Sequence, residues 1–143
     1  MTRRRVILGV VAAVILIALP LMASSCAKAR EAADAASQEF RMRISRGEYD
    51  EIVRSAAPEF QAGTTVGDFA KGMESLKERL GAWQFSEEPV WKVLAGFRGQ
   101  TVTLIYNSHF ERGTATEEFV WRVRQGRPIL AGYHANSPAQ IAR

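Results

Sequence analysis

The sequence predicts an α+β fold, with helices in the first half of the chain and an antiparallel sheet in the second. Three observations carry this. The spacing of apolar residues changes from about three and a half before Gly81 to two after it, the change from helix to strand. A polar residue followed by glycine recurs at Arg98-Gly99, Arg112-Gly113 and Gln125-Gly126, a tight-hairpin signal because glycine takes positive φ without steric cost. The chain has 143 residues, 47% hydrophobic and 24% charged, which is the size and balance of one globular domain.

The first element, residues 1–26, reads as a signal peptide or membrane anchor. Arg3, Arg4 and Arg5 precede a run from Val6 to Cys26 that carries no charge. Positive start, apolar core and small residues form the export-signal layout, with the N-terminus held in the cytoplasm. The expected location is the outer face of the cytoplasmic membrane, or the cell envelope. Ala23-Ser24-Ser25-Cys26 resembles a bacterial lipoprotein processing site, which makes Cys26 the lipidation candidate. Ala23 departs from the pattern, which prefers leucine there. Ordinary signal-peptidase cleavage and an uncleaved anchor of membrane-spanning length remain open beside it.

The body, residues 27–137, reads as a single domain with a helical N-terminal segment, followed by a tail at 138–143. Ala27 to Arg46 is rich in helix formers, with Ala33, Ala36, Phe40 and Ile44 on a thin apolar stripe and Gly47 as its stop. Glu48 to Ala57 forms a short second helix that Pro58 ends. Thr65 to Leu80 is the third, with Val66, Phe69, Met73, Leu76 and Leu80 along one face and Thr65–Asp68 resembling a capping box. This helix is expected to cover the apolar face of the sheet. Four strands follow: Val90–Phe97, Thr101–Glu111, Thr116–Arg124 and Ile129–Ala135, with a further short strand near Trp83–Phe85. Alternation groups Val102, Leu104, Tyr106 and Phe110; then Phe119, Trp121 and Val123; then Ile129, Ala131 and Tyr133.

Charge and composition exclude several functions. From Ala27 onward, 16 Lys plus Arg stand against 15 Asp plus Glu, a body charge of +1. Such a balance offers nucleic acid no electrostatic footprint. Arg122, Arg124 and Arg127 read as a solvated edge. One cysteine and two histidines, His109 and His134, are too few for a metal site, and no metal or cofactor is expected.

The segments Gly47-Glu48-Tyr49-Asp50, Ala56-Ala57-Pro58-Glu59-Phe60, Leu80-Gly81, Phe110-Glu111-Arg112-Gly113 and Gly132-Tyr133-His134 together resemble a bacterial family of small exported domains with no assigned activity. That family is similar to the cone-shaped fold of nuclear transport factor two and ketosteroid isomerase. The resemblance spans roughly residues 30–137. It implies about three helices packed on a curved four-stranded antiparallel sheet, in a cone-like arrangement that often dimerises through the sheet. It implies no activity.

Catalytic constellations are weak. A Ser–His–Asp set would need Ser108, a histidine and one of Asp34, Asp50 or Asp68, with no nucleophile elbow to present the serine. An isomerase-like site would pair an inward acid with a tyrosine hydroxyl. Tyr49, Tyr106 and Tyr133 are available, but Glu111, Glu117 and Glu118 read as strand-end or turn residues, so no acid is expected to face inward. The aromatics crowded into the sheet half read mainly as core. The expectation is therefore a non-enzymatic, envelope-associated protein that binds a partner protein or small ligand. Two alternatives stand beside it. One is an enzyme with a pocket between sheet and helices formed by Tyr106, His109, Trp121 and Tyr133; the other is a structural homodimer through the sheet.

Overall fold

The computed structural model describes the backbone of residues 2–138 and the side chains of residues 24–138. The leader read at 1–26 and the tail at 138–143 therefore lie mostly outside the described side chains. Among the described residues no helix is long and apolar enough to cross a membrane.

Four helices precede five strands. Helix α1 runs Thr2–Arg46 and stops at Gly47, whose φ of 73° ends the helix where a side chain would be strained. Helix α2 is Tyr49–Ser55 and α3 is Pro58–Gly63. Pro58 was expected to end a helix; it begins one, because its missing N–H and fixed φ suit the first helical position. Ala57 stays extended before it and donates its backbone N–H to Leu130 O at 2.8 Å, which pins the α2–α3 junction to the sheet. Helix α4 is Val66–Leu80, capped by the Thr65 hydroxyl, which accepts from Asp68 N at 3.1 Å.

The strands are β1 Trp83–Ser86, β2 Val90–Gly96, β3 Gly99–Phe110, β4 Gly113–Arg124 and β5 Arg127–Asn136. All pair antiparallel in one open sheet of five strands, the expected four and β1, the short strand expected near Trp83–Phe85. Strands β2 to β5 form a meander of two-residue hairpins. Strands β1 and β2 share one edge of β3, β1 beside Ser108–Phe110 and β2 beside Gly99–Ile105. At the last hairpin Gln125 and Gly126 both take positive φ, 51° and 73°, the primed geometry that matches strand twist.

The inner face carries Val102, Leu104, Tyr106 and Ser108 of β3 with Ala115, Glu117, Phe119, Trp121 and Val123 of β4, all buried. In β5 the alternation breaks. Alternation groups Ile129 with Ala131 and Tyr133, yet Ile129 is 40% exposed while Leu130 is 4% exposed. The register shifts between Val120 and Trp121, so one extra β5 residue lies between the Leu130 and Gly132 pairings. This bulge brings both Leu130 and Tyr133 inward, which strict alternation forbids.

The cover also differs from expectation. Helix α1 lies across the inner face, and Ala29, Ala33 and Phe40 join its core cluster. Helix α4 sits further out: Phe69 meets the rings of Phe40, Tyr49 and Phe60, and Leu76 and Leu80 form a small cluster with Ala115. Its end is tied down by the β3–β4 turn. Arg112 donates through Nη2 to Glu78 O at 2.6 Å and to Lys77 O at 3.3 Å, a cation on the helix C-terminus. Arg112 N also donates to Leu80 O at 2.8 Å, so the Leu80-Gly81 and Phe110–Gly113 segments meet.

Candidate functional site

The buried face of α1 is not purely apolar. Asp34, Ser37 and Arg41 follow one another at spacings of three and four, the spacing of one helix face. Each meets a polar group on the inner sheet. The Tyr106 hydroxyl donates to Asp34, and Trp121 Nε1 donates to Ser37 Oγ at 2.9 Å. Ser37 in turn donates to Ala33 O at 3.0 Å. Arg41 donates to Glu117 Oε2 through Nη2 at 2.9 Å and Nε at 3.2 Å.

Glu117 is the centre of this group and overturns the expectation that no acid faces inward. It is 3% exposed, and its partner Arg41 is 6% exposed. The reason is parity and strand length. Strand β4 begins at Gly113 rather than Thr116, which puts Glu117 inside the strand, two residues from Phe119 on the same face. The sequence held that signal, since Glu117, Phe119, Trp121 and Val123 share one alternation. Four donors converge on the carboxylate: Arg41 Nε and Nη2, Ser108 Oγ, and the Tyr133 hydroxyl on Oε1 at 2.8 Å. Three of these donors crowd Oε2 and one reaches Oε1, so both carboxylate oxygens are hydrogen-bonded and Oε1 keeps one acceptor site.

A longer chain feeds the same oxygen. Trp83 Nε1 donates to Ser86 Oγ at 2.9 Å, and Ser86 and Ser108 hydroxyls lie 2.7 Å apart. The Ser108 proton is committed to Glu117, so Ser86 must donate to Ser108. The relay therefore runs in one direction, from the indole through two hydroxyls to the carboxylate. Arg41 is held from the other side by aromatic faces, its guanidinium 4.4 Å from the Tyr106 ring centre, 5.0 Å from Trp83 and 5.2 Å from Phe119. Its Nη1 is buried with no hydrogen-bond partner among the described residues.

The tyrosines respond to this setting. Burial, then the Glu117 charge and its hydrogen bond, push the Tyr133 hydroxyl well above its ordinary value. Burial, then the hydrogen bond to Asp34, push Tyr106 up as well. Both stay protonated at neutral pH and act as donors.

Beside the Arg41–Glu117 pair lies a cavity of about 630 Å³ between α1, α4 and the β1–β3 end of the sheet. Phe40, Met73, Leu76 and Phe110 supply apolar wall, and Arg41, Glu117 and Tyr133 a polar end. Of the four residues read as a pocket, Tyr133 alone lines this cavity. Tyr106 is buried in the core under α1. Trp121 borders a separate cleft with Pro128 and Leu130. His109 is on the opposite face of β3, stacked on Phe85 at 4.4 Å and 2.8 Å from Glu87. The hydrogen bonds from His109 and Asn107 hold the Glu87 carboxyl below the ordinary range. His134 is exposed on that outer face too. Among the described residues no group of three or more His, Cys, Asp or Glu side chains could hold a metal.

Cys26 lies in α1, half-buried, with its Sγ 3.7 Å from Gln100 Nε2. It is a free thiol at the point where the helix leaves the sheet. Set against protein-family models, curated proteins and solved structures, the chain finds no match.

Proposed function

We propose that the body is a non-enzymatic ligand-binding domain on the outer side of a bacterial cytoplasmic membrane, with a cone-like hollow between helices and sheet. The ligand is a small amphipathic molecule with an apolar chain and an oxygen-bearing head. The observation that carries this is the cavity of about 630 Å³ with mostly apolar walls, polar at Arg41, Glu117 and Tyr133 and at Gln38, Ser45 and Lys77, a size that suits a small molecule. The head group's oxygen meets the polar end of the cavity formed by Arg41, Glu117 and Tyr133. The chain lies against Phe40, Met73, Leu76 and Phe110. The export pattern of residues 1–26 supports the location, and the likeness to exported cone-shaped domains belongs to the same reading.

An acid beside a tyrosine hydroxyl also invites an enzymatic reading. Two features weigh against it. Arg41 and Ser108 crowd Glu117 Oε2 and Tyr133 donates to Oε1, so a substrate proton would have to share the one acceptor site left on Oε1. The Tyr133 hydroxyl gives its own proton to Glu117. The pair is a structural anchor for the cavity wall.

Calorimetry with a series of alkanoates and the matching alkanols tests this. The carboxylates are expected to bind at micromolar concentration, the alcohols more weakly. Leu76→Trp, which fills the wall, should abolish binding while leaving a cooperative melt. If neither series binds, or Leu76→Trp binds like the parent, the reading falls.

A second reading, a homodimer through the sheet, draws on the outer face, where Val90 is 71% and Leu94 55% exposed. Light scattering on the detergent-solubilised chain tests it; a monomer at high protein concentration removes it.

A further inference from the structure

We infer that the end of the sheet where α1 enters the body is a docking face for anionic lipid headgroups, with the β2–β3 hairpin tip as its apolar wedge. The first observation is Phe97, the most exposed large hydrophobic residue described, at 108% relative exposure on the turn between β2 and β3. Nothing among the described residues covers it. A bare phenyl ring on a two-residue turn serves no core.

The second observation is charge. The segments that meet at this end are residues 24–30 of α1, 94–101 of the first hairpin and 122–129 of the last. Together they carry Lys28, Arg30, Arg98, Arg122, Arg124 and Arg127 and no acid. Arg30 is paired with Glu88 and Arg122 with Glu59. Lys28, Arg98, Arg124 and Arg127 are exposed and form no salt bridge among the described residues. Arg124 and Arg127 are moreover direct cross-strand partners at the last hairpin. Like charges facing each other across a ladder weaken a hairpin. Their presence at one end of a body with a net charge of +1 is a concentration of charge that folding does not ask for.

The third observation fixes the occupant. Gln100 Nε2 lies 3.3 Å from Ser25 Oγ and 3.7 Å from Cys26 Sγ. The hairpin base therefore touches α1 at the last two residues of the uncharged Val6–Cys26 run. Phe97 is three strand residues away, at most about 10 Å. Whether that run spans the bilayer or Cys26 carries a lipid, the same end of the body meets the membrane. There the ring of Phe97 enters the headgroup boundary and the four cations sit among lipid phosphates. The docking is electrostatic and apolar at once, so it needs anionic lipid and weakens as salt shortens the screening length.

Hydrogen exchange on the full chain in lipid nanodiscs tests this. Discs of phosphatidylcholine alone are compared with discs containing one-third phosphatidylglycerol. Amides at 97–99 and 125–127 are expected to exchange at least fivefold more slowly in the anionic discs. The amides around the cavity should not change between the two lipids. R98E/R124E/R127E should lose the protection while melting within a few degrees of the parent, and Phe97→Ser, which keeps every charge, should lose a large part of it. Equal exchange in both lipids overturns the proposal, as does protection that survives the charge reversal. So does a chain that stays outside the discs. Protection that appears without lipid and grows with protein concentration marks a second copy as the occupant, and overturns it too.

Discussion

The two ends of the domain treat charge in opposite ways. At the cavity end, Arg41 and Glu117 are taken out of water almost completely, and both oxygens of the carboxylate are hydrogen-bonded. At the α1-entry end, Arg98, Arg124 and Arg127 stand in solvent and form no salt bridge among the described residues. The first arrangement makes the fold depend on its charges, because a buried ion without its partner is costly. The second leaves stability nearly independent of them, because an exposed charge is screened. A charge that folding does not need is available for recognition.

The sharpest way to break this contrast is Glu117→Ala. It strands the buried Arg41 cation and is expected to cost about 3–5 kcal/mol in chemical denaturation. The double variant Arg41→Met with Glu117→Leu removes both charges and should recover most of that loss. If the single and double variants are equally unstable, the pair is not what holds this end together.

Alkaline unfolding sharpens the same end. The folded-state values of Tyr106 and Tyr133 lie above the ordinary value of 10.0. Their contribution is therefore complete below pH 10 and declines as the pH rises toward the folded values, because the unfolded chain ionises first. The decline should reach about 1.4 kcal/mol per pH unit for each tyrosine. Tyr133→Phe should show a shallower loss above pH 10 when urea midpoints are compared across pH, and a slope equal to the parent's would remove the tyrosine from this account.

Between the two ends, Thr65→Ala removes the α4 cap and should cost about 1 kcal/mol, seen as a lower melting temperature with the cavity intact. The smallest effect belongs to the exposed end. Arg124→Thr ends the face-to-face repulsion with Arg127, and its expected change in stability is within about 0.5 kcal/mol of zero or slightly favourable. A loss of several kcal/mol there would erase the contrast.

Much of this architecture was legible in the residues. The α4 stripe, its Thr65 cap and the Gly81 stop were read from spacing, and the stripe residues are buried or half-buried. The meander followed from three polar-glycine turns, although two of its turns fall one residue earlier, at Phe97–Arg98 and Glu111–Arg112. The site was less legible. Glu117 reads as solvated because a charged residue near a turn usually is, and the alternation becomes clear only from Thr116, three residues after β4 begins. Asp34, Ser37 and Arg41 were missed because polar residues on a helix do not declare a buried face until their partners are known.

By itself the sequence determined the order of helices and strands, the hairpin turns and the neutral balance of the body. Those depend on neighbours a few residues apart, where period and glycine placement decide the backbone. Only the tertiary structure decided that α1 covers the sheet, that a bulge in β5 turns Leu130 and Tyr133 inward together, and that Arg41 meets Glu117 across 76 positions of chain. The physical reason is that a buried charge is tolerable only beside its partner, and that partner is chosen by packing rather than by local pattern.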